Sequence, residues 1–260
     1  MTSRCFYRPL GDGRFQPTEH IQGAWLDYEQ HMAPVGGLIA NQIEAHDPRE
    51  DLQLSKITYE ILGQIRAEET TVTVEIARPG RTIELLTATA SIGDRPVVRA
   101  SAWRLSHGDT AAISGNEFTA LPAPEEFPAM DMTNRWPGGY IRALEVRAAE
   151  DSRPGRGRAW IRSDVQLLES GGSSPTADFI RLVDTANGVA VRESPTEWVF
   201  PNTDLSIHLF RQPEPGWVGF DTSVAFGPTG VGLTSTTLHD INGPVGRCEQ
   251  ILTVRPMPER

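Results

Sequence analysis

Three elements of this 260-residue chain recur at one fixed spacing, and that spacing narrows the folds open to it. Shifted by 148 residues, "SKITYEIL" (Ser55–Leu62) falls on "TDLSIHLF" (Thr203–Phe210), with similar character at most positions. The helix-patterned stretch starting at Pro34 falls on the one containing Asp184. Leu85, Thr89, Pro96, Val97 and Arg99 fall on Leu233, Thr237, Pro244, Val245 and Arg247. These are five identities in 24 pairs, too few to argue from alone. Three elements sharing one offset carry the argument. Self-similarity at a fixed period marks a structural unit used more than once. Each unit here holds one long helix and a run of antiparallel strands to cover it, an α+β arrangement.

The local patterns fill in this frame. Residues 5–26 read as strands around the turn "LGDGRF". Pro34–Glu44, "PVGGLIANQIE", has helical spacing with a proline suited to a first turn. Ser55–Leu62, Thr70–Ala77 and two runs within Thr82–Leu105 alternate and are rich in β-branched residues, as strands are. His107–Gly139 carries Pro122, Pro124, Pro128 and Pro137 and has no period, so it reads as a linker or wrapping loop. The order then repeats. Strand-like runs cover Tyr140–Arg147 and Arg158–Leu168. Ser174 is a helix N-cap with Pro175 in the first helical position. Strands follow at Thr203–Phe210, Gly219–Phe226, Val231–His239 and Val245–Val254. The expected division is a first repeat over 1–106, a linker over 107–139 and a second repeat over 140–260.

Composition excludes several functions. A net charge of −10 repels nucleic acid and anionic membrane surfaces. The one basic run, Arg153–Arg158, reads as a solvated turn. No stretch approaches the roughly 18–20 apolar residues of a membrane span. The first residues lack the apolar run of a signal peptide, and Cys5 and Cys248 form no C-x-x-C pair, so a reducing cytoplasm is expected. There is no G-x-S-x-G, H-E-x-x-H or Walker loop, and neither a metal nor an organic cofactor is expected. "GPTGVG" (Gly227–Gly232) joins two strands and reads as a hairpin turn. The six tryptophans are scattered, so packing accounts for them better than a carbohydrate platform.

A few polar residues sit where the pattern calls for apolar ones. In "FIRLVDTANGVA" (Phe179–Ala190), Phe179, Leu182, Val183, Ala186, Val189 and Ala190 form a broad apolar arc. Asn187 lies inside its edge and Asp184 just beyond it, so the Asp184 carboxylate borders the buried face. Alone, Asp184 reads equally well as a surface residue with a local hydrogen bond. In "CEQILTV", Cys248, Gln250, Leu252 and Val254 share one face, and Gln250 interrupts an apolar row. A buried amide without partners costs about 1–3 kcal/mol, so Gln250 needs some, and backbone groups would also serve. Asn202 or Thr203 stands at the mouth of the following strand, within reach of a site. His208, on that strand's polar face, reads as solvated or packed. The offset places Asp184 on Gly36 and Gln250 on Ala102, so the later copy is polar where the earlier one is not. One chemically active half of a pseudo-symmetric chain has this signature.

The duplicated unit, the long linker, the "VGGLIA" helix start, the "RLVDTANG" helix and the "EQILTVRP" ending together resemble acyl-CoA thioesterases of the double hotdog type, the bacterial type II class. The resemblance implies a duplicated hotdog: two antiparallel sheets each wrapping a long helix, a pseudo-dimer within one chain. It implies hydrolysis of an acyl-CoA to free acid and CoA, in lipid metabolism, by a water oriented by an Asp, a hydroxyl or amide residue, and a Gln. Asp184 matches the first and Gln250, five residues before Arg255, the last. The middle position aligns with Asn202, beside Thr203, where the family carries Thr or a similar residue. Gly36 and Gly37 match the family's paired glycines, and backbone N–H groups near them are expected to hold the oxyanion. A homo-oligomer stays open. Two rivals remain. A hotdog enoyl-CoA hydratase or dehydratase needs an Asp–His pair, and no histidine follows Asp184 before His208. A catalytically degraded acyl-thioester-binding protein is the other, since Asn202 departs from the usual residue.

Overall fold

The computed structural model describes residues 4–169 and 171–258, so the outermost ends of both expected repeats lie outside it. The first half begins with strands β1 (Cys5–Gly11) and β2 (Arg14–Pro17), then helix α1 (Met32–Ala45). Strands β3 (Leu52–Ile61), β4 (Thr70–Arg78), β5 (Ile83–Ile92) and β6 (Arg95–Ser106) follow. After residues 107–138 come helix α2 (Gly139–Arg142) and strands β7 (Glu145–Ala148), β8 (Arg156–Arg162) and β9 (Gln166–Leu168). Next are helix α3 (Pro175–Ile180), a 3-10 turn (Val183–Thr185) and helix α4 (Ala186–Val189). The chain closes with β10 (Trp198–Val199), β11 (Asp204–Leu209), β12 (Val218–Phe226), β13 (Val231–Asp240), β14 (Gly243–Thr253) and β15 (Arg255–Pro256).

Where two separate sheets are expected, thirteen strands form one, in the order β7-β8-β12-β13-β14-β11-β3-β6-β5-β4-β2-β1-β9. β10 and β15 pair separately. The weld is the antiparallel pairing of β11 with β3, which satisfies two strand edges that would otherwise stand open. Ser206 faces Thr58, Asp204 faces Glu60, and His208 faces Lys56. Ser206 and Thr58 are one offset apart, so each strand meets its own counterpart, as at a local two-fold. The same offset carries Thr70–Arg78 onto Val218–Phe226 and Ile83–Ile92 onto Val231–Asp240 at both ends.

The helices depart from the expected symmetry. α1 is continuous, buried over most of its surface, and capped by His31, whose Nδ1 accepts from the Ala33 N–H at 3.1 Å. Its counterpart is broken. Ser174 caps α3 as expected, accepting from the Ala177 N–H at 3.0 Å. Arg181 then turns inward, donating to the carbonyls of Val165 and Ser163, and the chain tightens: Leu182 N–H bonds to Phe179 O and Thr185 N–H to Leu182 O. Such three-residue bonds wind a 3-10 turn in place of an α-helix. Asp184 stands in that turn. The stretch expected as a strand from Tyr140 opens instead with α2, and residues 19–26 form a 3-10 turn and loop where strand was expected.

α1 and α3 pack close because Gly37 has no side chain. A Cβ there would lie 2.4 Å from Arg181 Cβ and 2.9 Å from its Cα. At Gly36 the nearest atoms to a Cβ are those of Tyr59, at 3.6 Å, an ordinary contact. Gly37→Ala is therefore expected to destabilise the fold by about 1–3 kcal/mol by forcing the helices apart. Gly36→Ala is expected to be neutral or stabilising by up to about 1 kcal/mol, through helix propensity. Thermal or urea unfolding of both variants checks the contrast.

Candidate active site

Three of the residues singled out from sequence meet. Asp184 Oδ1 accepts from Asn202 Nδ2 at 2.7 Å and from Gln250 Nε2 at 2.9 Å. Each arrives from a different element. The 3-10 turn presents Asp184 to the face of the sheet that carries Gln250. Strand alternation turns Gln250, fully buried on β14, to the same side as Cys248 and Leu252. Asn202 stands ahead of β11, bridged to Leu252, and also donates to Asp204 O at 2.9 Å. Asp204 Oδ1 in turn accepts from the Ile251 N–H, so the loop carrying Asn202 is tied to the strand carrying Gln250.

Other expected residues lie elsewhere. Thr203 is exposed, and its backbone bonds to Ile251 and Ile61 on the two flanking strands. Asn202, not Thr203, contacts the carboxylate. Gly36 and Gly37 line neither cavity at Asp184. They lie beyond the first turn of α1, where N–H groups bond within the helix, so they have no free donors for an oxyanion. Gly36 O accepts from Tyr59 Oη at 2.8 Å, and Gly37 serves helix packing. His208 is exposed on β11.

Burial dominates the electrostatics. Asp184 is 7% exposed, and desolvation raises its pKa from 3.8 to about 7, against the opposing pull of the two amide donors. Oδ1 is occupied by both amides, which leaves Oδ2 as the free basic oxygen. Gln250 Oε1 is buried without a partner among the described residues, a sign that the amide is turned to serve the carboxylate.

His31 is not among the residues singled out from sequence. It crosses from the first half to stand with Nδ1 3.8 Å from Asp184 Oδ2. Burial lowers its pKa to about 3, so the ring is neutral at pH 7. Because Nδ1 accepts from the Ala33 N–H, the ring proton sits on Nε2. Tyr140 stacks on the ring at 4.1 Å and bonds through its hydroxyl to Thr185 Oγ1 at 2.7 Å. A polar residue just ahead of an oily helix is the one sequence signal His31 leaves.

Two cavities share Ala24, Trp25, His31, Asp184 and Asn202 as walls. The larger, about 640 Å³, runs past Gln64, Pro201 and Arg255 to Met257 and Pro258. The smaller, about 50 Å³, is bounded by Met132, Trp136, Ile141 and Gly188. Trp25 packs edge-on against Trp136 at 5.0 Å and Phe200 at 5.5 Å. Trp25 and Trp136, expected only to pack, thus also shape the site. An aperiodic loop and linker give no side-chain direction from which to foresee that.

A raised carboxylate pKa has a thermodynamic sign. The native state holds the Asp184 proton more tightly than the unfolded chain does. Stability therefore falls as pH rises from about 3.8 to about 7 and stays lowered above that. Asp184→Asn keeps an acceptor for both amides and removes the charge. It is expected to raise the melting temperature at pH 8, by roughly 2–4 °C per kcal/mol relieved. The gain is expected to shrink at pH 5, and melting curves at both pH values check it.

Comparison with known proteins gives the family and the fold. Residues 21–105 match the family model for the acyl-CoA thioesterase N-terminal domain, and residues 124–254 that for the C-terminal domain. No curated protein matches the chain. Among solved structures, a hot-dog-fold protein from Alicyclobacillus acidocaldarius is similar over 96% of each chain, with a TM-score of 0.76 and 12% identity. The tesB protein of Mycobacterium avium subs paratuberculosis is similar over 96% of each chain, with a TM-score of 0.70 and 16% identity. The acyl-CoA thioesterase II TesB2 of Mycobacterium marinum covers 98% of this chain and is covered to 96%, with a TM-score of 0.67 and 15% identity. Those likenesses give the hotdog fold, and with both family models matched in order along it, the chain belongs to the acyl-CoA thioesterase family.

Proposed function

We propose that the chain is a duplicated hotdog, with repeats over 1–106 and 140–260 and a linker over 107–139. We further propose that it hydrolyses acyl-CoA thioesters through a water activated by Asp184. The shared offset of strand bounds and the self-facing β3–β11 seam support the duplication. One observation carries the chemistry: a buried carboxylate of raised pKa, with one oxygen pinned by Asn202 and Gln250 and the other free beside a cavity.

In this reading a water bonds to Asp184 Oδ2 and attacks the thioester carbon as the carboxylate takes its proton. The carbonyl oxygen becomes an oxyanion. Its donors are the Nε2–H of neutral His31 and the Met32 N–H at the amino end of α1, where the helix dipole adds positive potential. A neutral imidazole makes a good donor because it gives up no proton in the step. The tetrahedral intermediate then breaks its C–S bond, and the thiolate takes the proton from Asp184. A thiolate leaves readily, so no serine nucleophile is needed. Asn202 and Gln250 position the carboxylate. The site works in a reducing cytoplasm, consistent with Cys5 and Cys248 as buried free thiols.

His31 also supplies the histidine that the hydratase reading lacked. An Asp184–His31 pair next to a thioester would suit water addition to an enoyl-CoA. Side-by-side assays of thiol release from saturated acyl-CoA and of crotonyl-CoA hydration separate the readings. Thiol release is expected, and hydration without it would reverse the choice.

Two further outcomes are expected. Because the carboxylate is the active form, kcat/KM should rise about tenfold per pH unit below about 7 and level above it. Asp184→Asn and Gln250→Ala should each lower turnover at least about tenfold with the fold intact, the proton acceptor being worth about 10²–10⁴ in rate. Near-normal turnover in both would remove these roles.

A further inference from the structure

A thioester is a two-armed substrate, and Asp184 stands where two unequal cavities meet. The pantetheine arm must reach solvent, because the nucleotide beyond it is large and highly charged. Only the cavity of about 640 Å³ has the room, and its outer walls offer polar groups from Gln64 and Arg255. We propose that the cavity of about 50 Å³ receives the acyl end and restricts it to about four carbons or fewer. The proposal rests on the thioesterase reading above.

Size sets the limit. A water-sized atom group needs about 10–15 Å³ of such space, so the chamber takes about four heavy atoms. Its walls do not yield easily. Met132, Trp136 and Ile141 are 4%, 5% and 3% exposed, so they back onto packed core.

Gly188 makes the limit testable. Its backbone lies outside the left-handed region, so alanine meets no backbone strain there and only a tight side-chain contact. The added Cβ would stand 3.3 Å from Trp136 Nε1 and 3.6 Å from Met132 Cε, shrinking the chamber. Alanine also suits helix α4 better than glycine. Met132→Ala does the opposite and removes part of the far wall.

The experiment measures binding and hydrolysis separately. Calorimetry with the non-hydrolysable thioethers S-ethyl-, S-butyl-, S-octyl- and S-dodecyl-CoA ranks chain length for the wild type, Gly188→Ala and Met132→Ala. Thiol release from acetyl-, butyryl-, octanoyl- and lauroyl-CoA ranks turnover. Wild type is expected to prefer S-butyl to S-dodecyl by about tenfold or more, given that methylene discrimination is worth roughly 10–200-fold. Gly188→Ala should weaken S-butyl more than S-ethyl binding, and Met132→Ala should strengthen S-octyl binding. Equal or tighter S-dodecyl binding by wild type, or no thioether binding at all, would overturn the proposal. So would an unchanged ranking in Gly188→Ala, the variant expected to fold normally. Length-ranked binding without thiol release would keep the chamber and remove the thioesterase reading. Thiol release without length preference would do the reverse.

Discussion

Desolvation of the Asp184 carboxylate is the constraint around which the site is arranged. An ionised carboxyl away from water needs hydrogen-bond donors, and two side-chain amides supply them. Those amides must then be held at the right height and angle. Asn202 is tied down through Asp204, and Gln250 through its place in a central strand. The arrangement is not relaxed. Gln250 Oε1 and its cross-strand neighbour Thr234 Oγ1 both lack partners among the described residues. An unpartnered buried polar atom costs about 1–3 kcal/mol, and the large core offsets such terms. The Asp184 carboxyl is thereby held in a state that it would not choose in water.

The seam between β3 and β11 lets residues from both halves take part. It fuses the two strand sets into one surface, and the Gly37–Arg181 contact sets α1 against α3. The start of α1 then lies next to the turn that carries Asp184, and His31 reaches across. Neither half holds the whole constellation. The first contributes a neutral imidazole and a helix terminus, the second a carboxylate and two amides.

Much of this architecture was legible in the residues. Strand alternation is a short-range rule, and it set Leu205, Ile207 and Leu209 inward and Gln250 among apolar neighbours. The offset drawn on three sequence elements also carries β4 onto β12 and β5 onto β13 to the residue. Periodicity misled where a long-range demand overrode it. "FIRLVDTANGVA" has the spacing of one helix, yet Arg181 turns inward to Val165 O and Ser163 O, and the helix breaks there. His31 was missed because it approaches Asp184 through space from a segment 153 positions earlier in the chain. The glycine pair was misread for a related reason. Gly36 and Gly37 look like room for a ligand, and the room at Gly37 is taken by another helix.

The segment between β6 and α2 does more than connect them. Trp160 Nε1 donates to Pro122 O at 2.9 Å, and His239 Nε2 lies 3.1 Å from Thr119 O, so its first part is fastened to the second half. Its later part inserts Met132 and Trp136 beside Asp184. That portion of the wall thus belongs to no strand and shares no ladder register. Changes there can reshape what fits without disturbing the pairing that keeps the chemistry aligned. Evolution could therefore retune substrate range in this one segment while the carboxylate and its amides stay untouched, so relatives with different diets would be expected to diverge first along this strap.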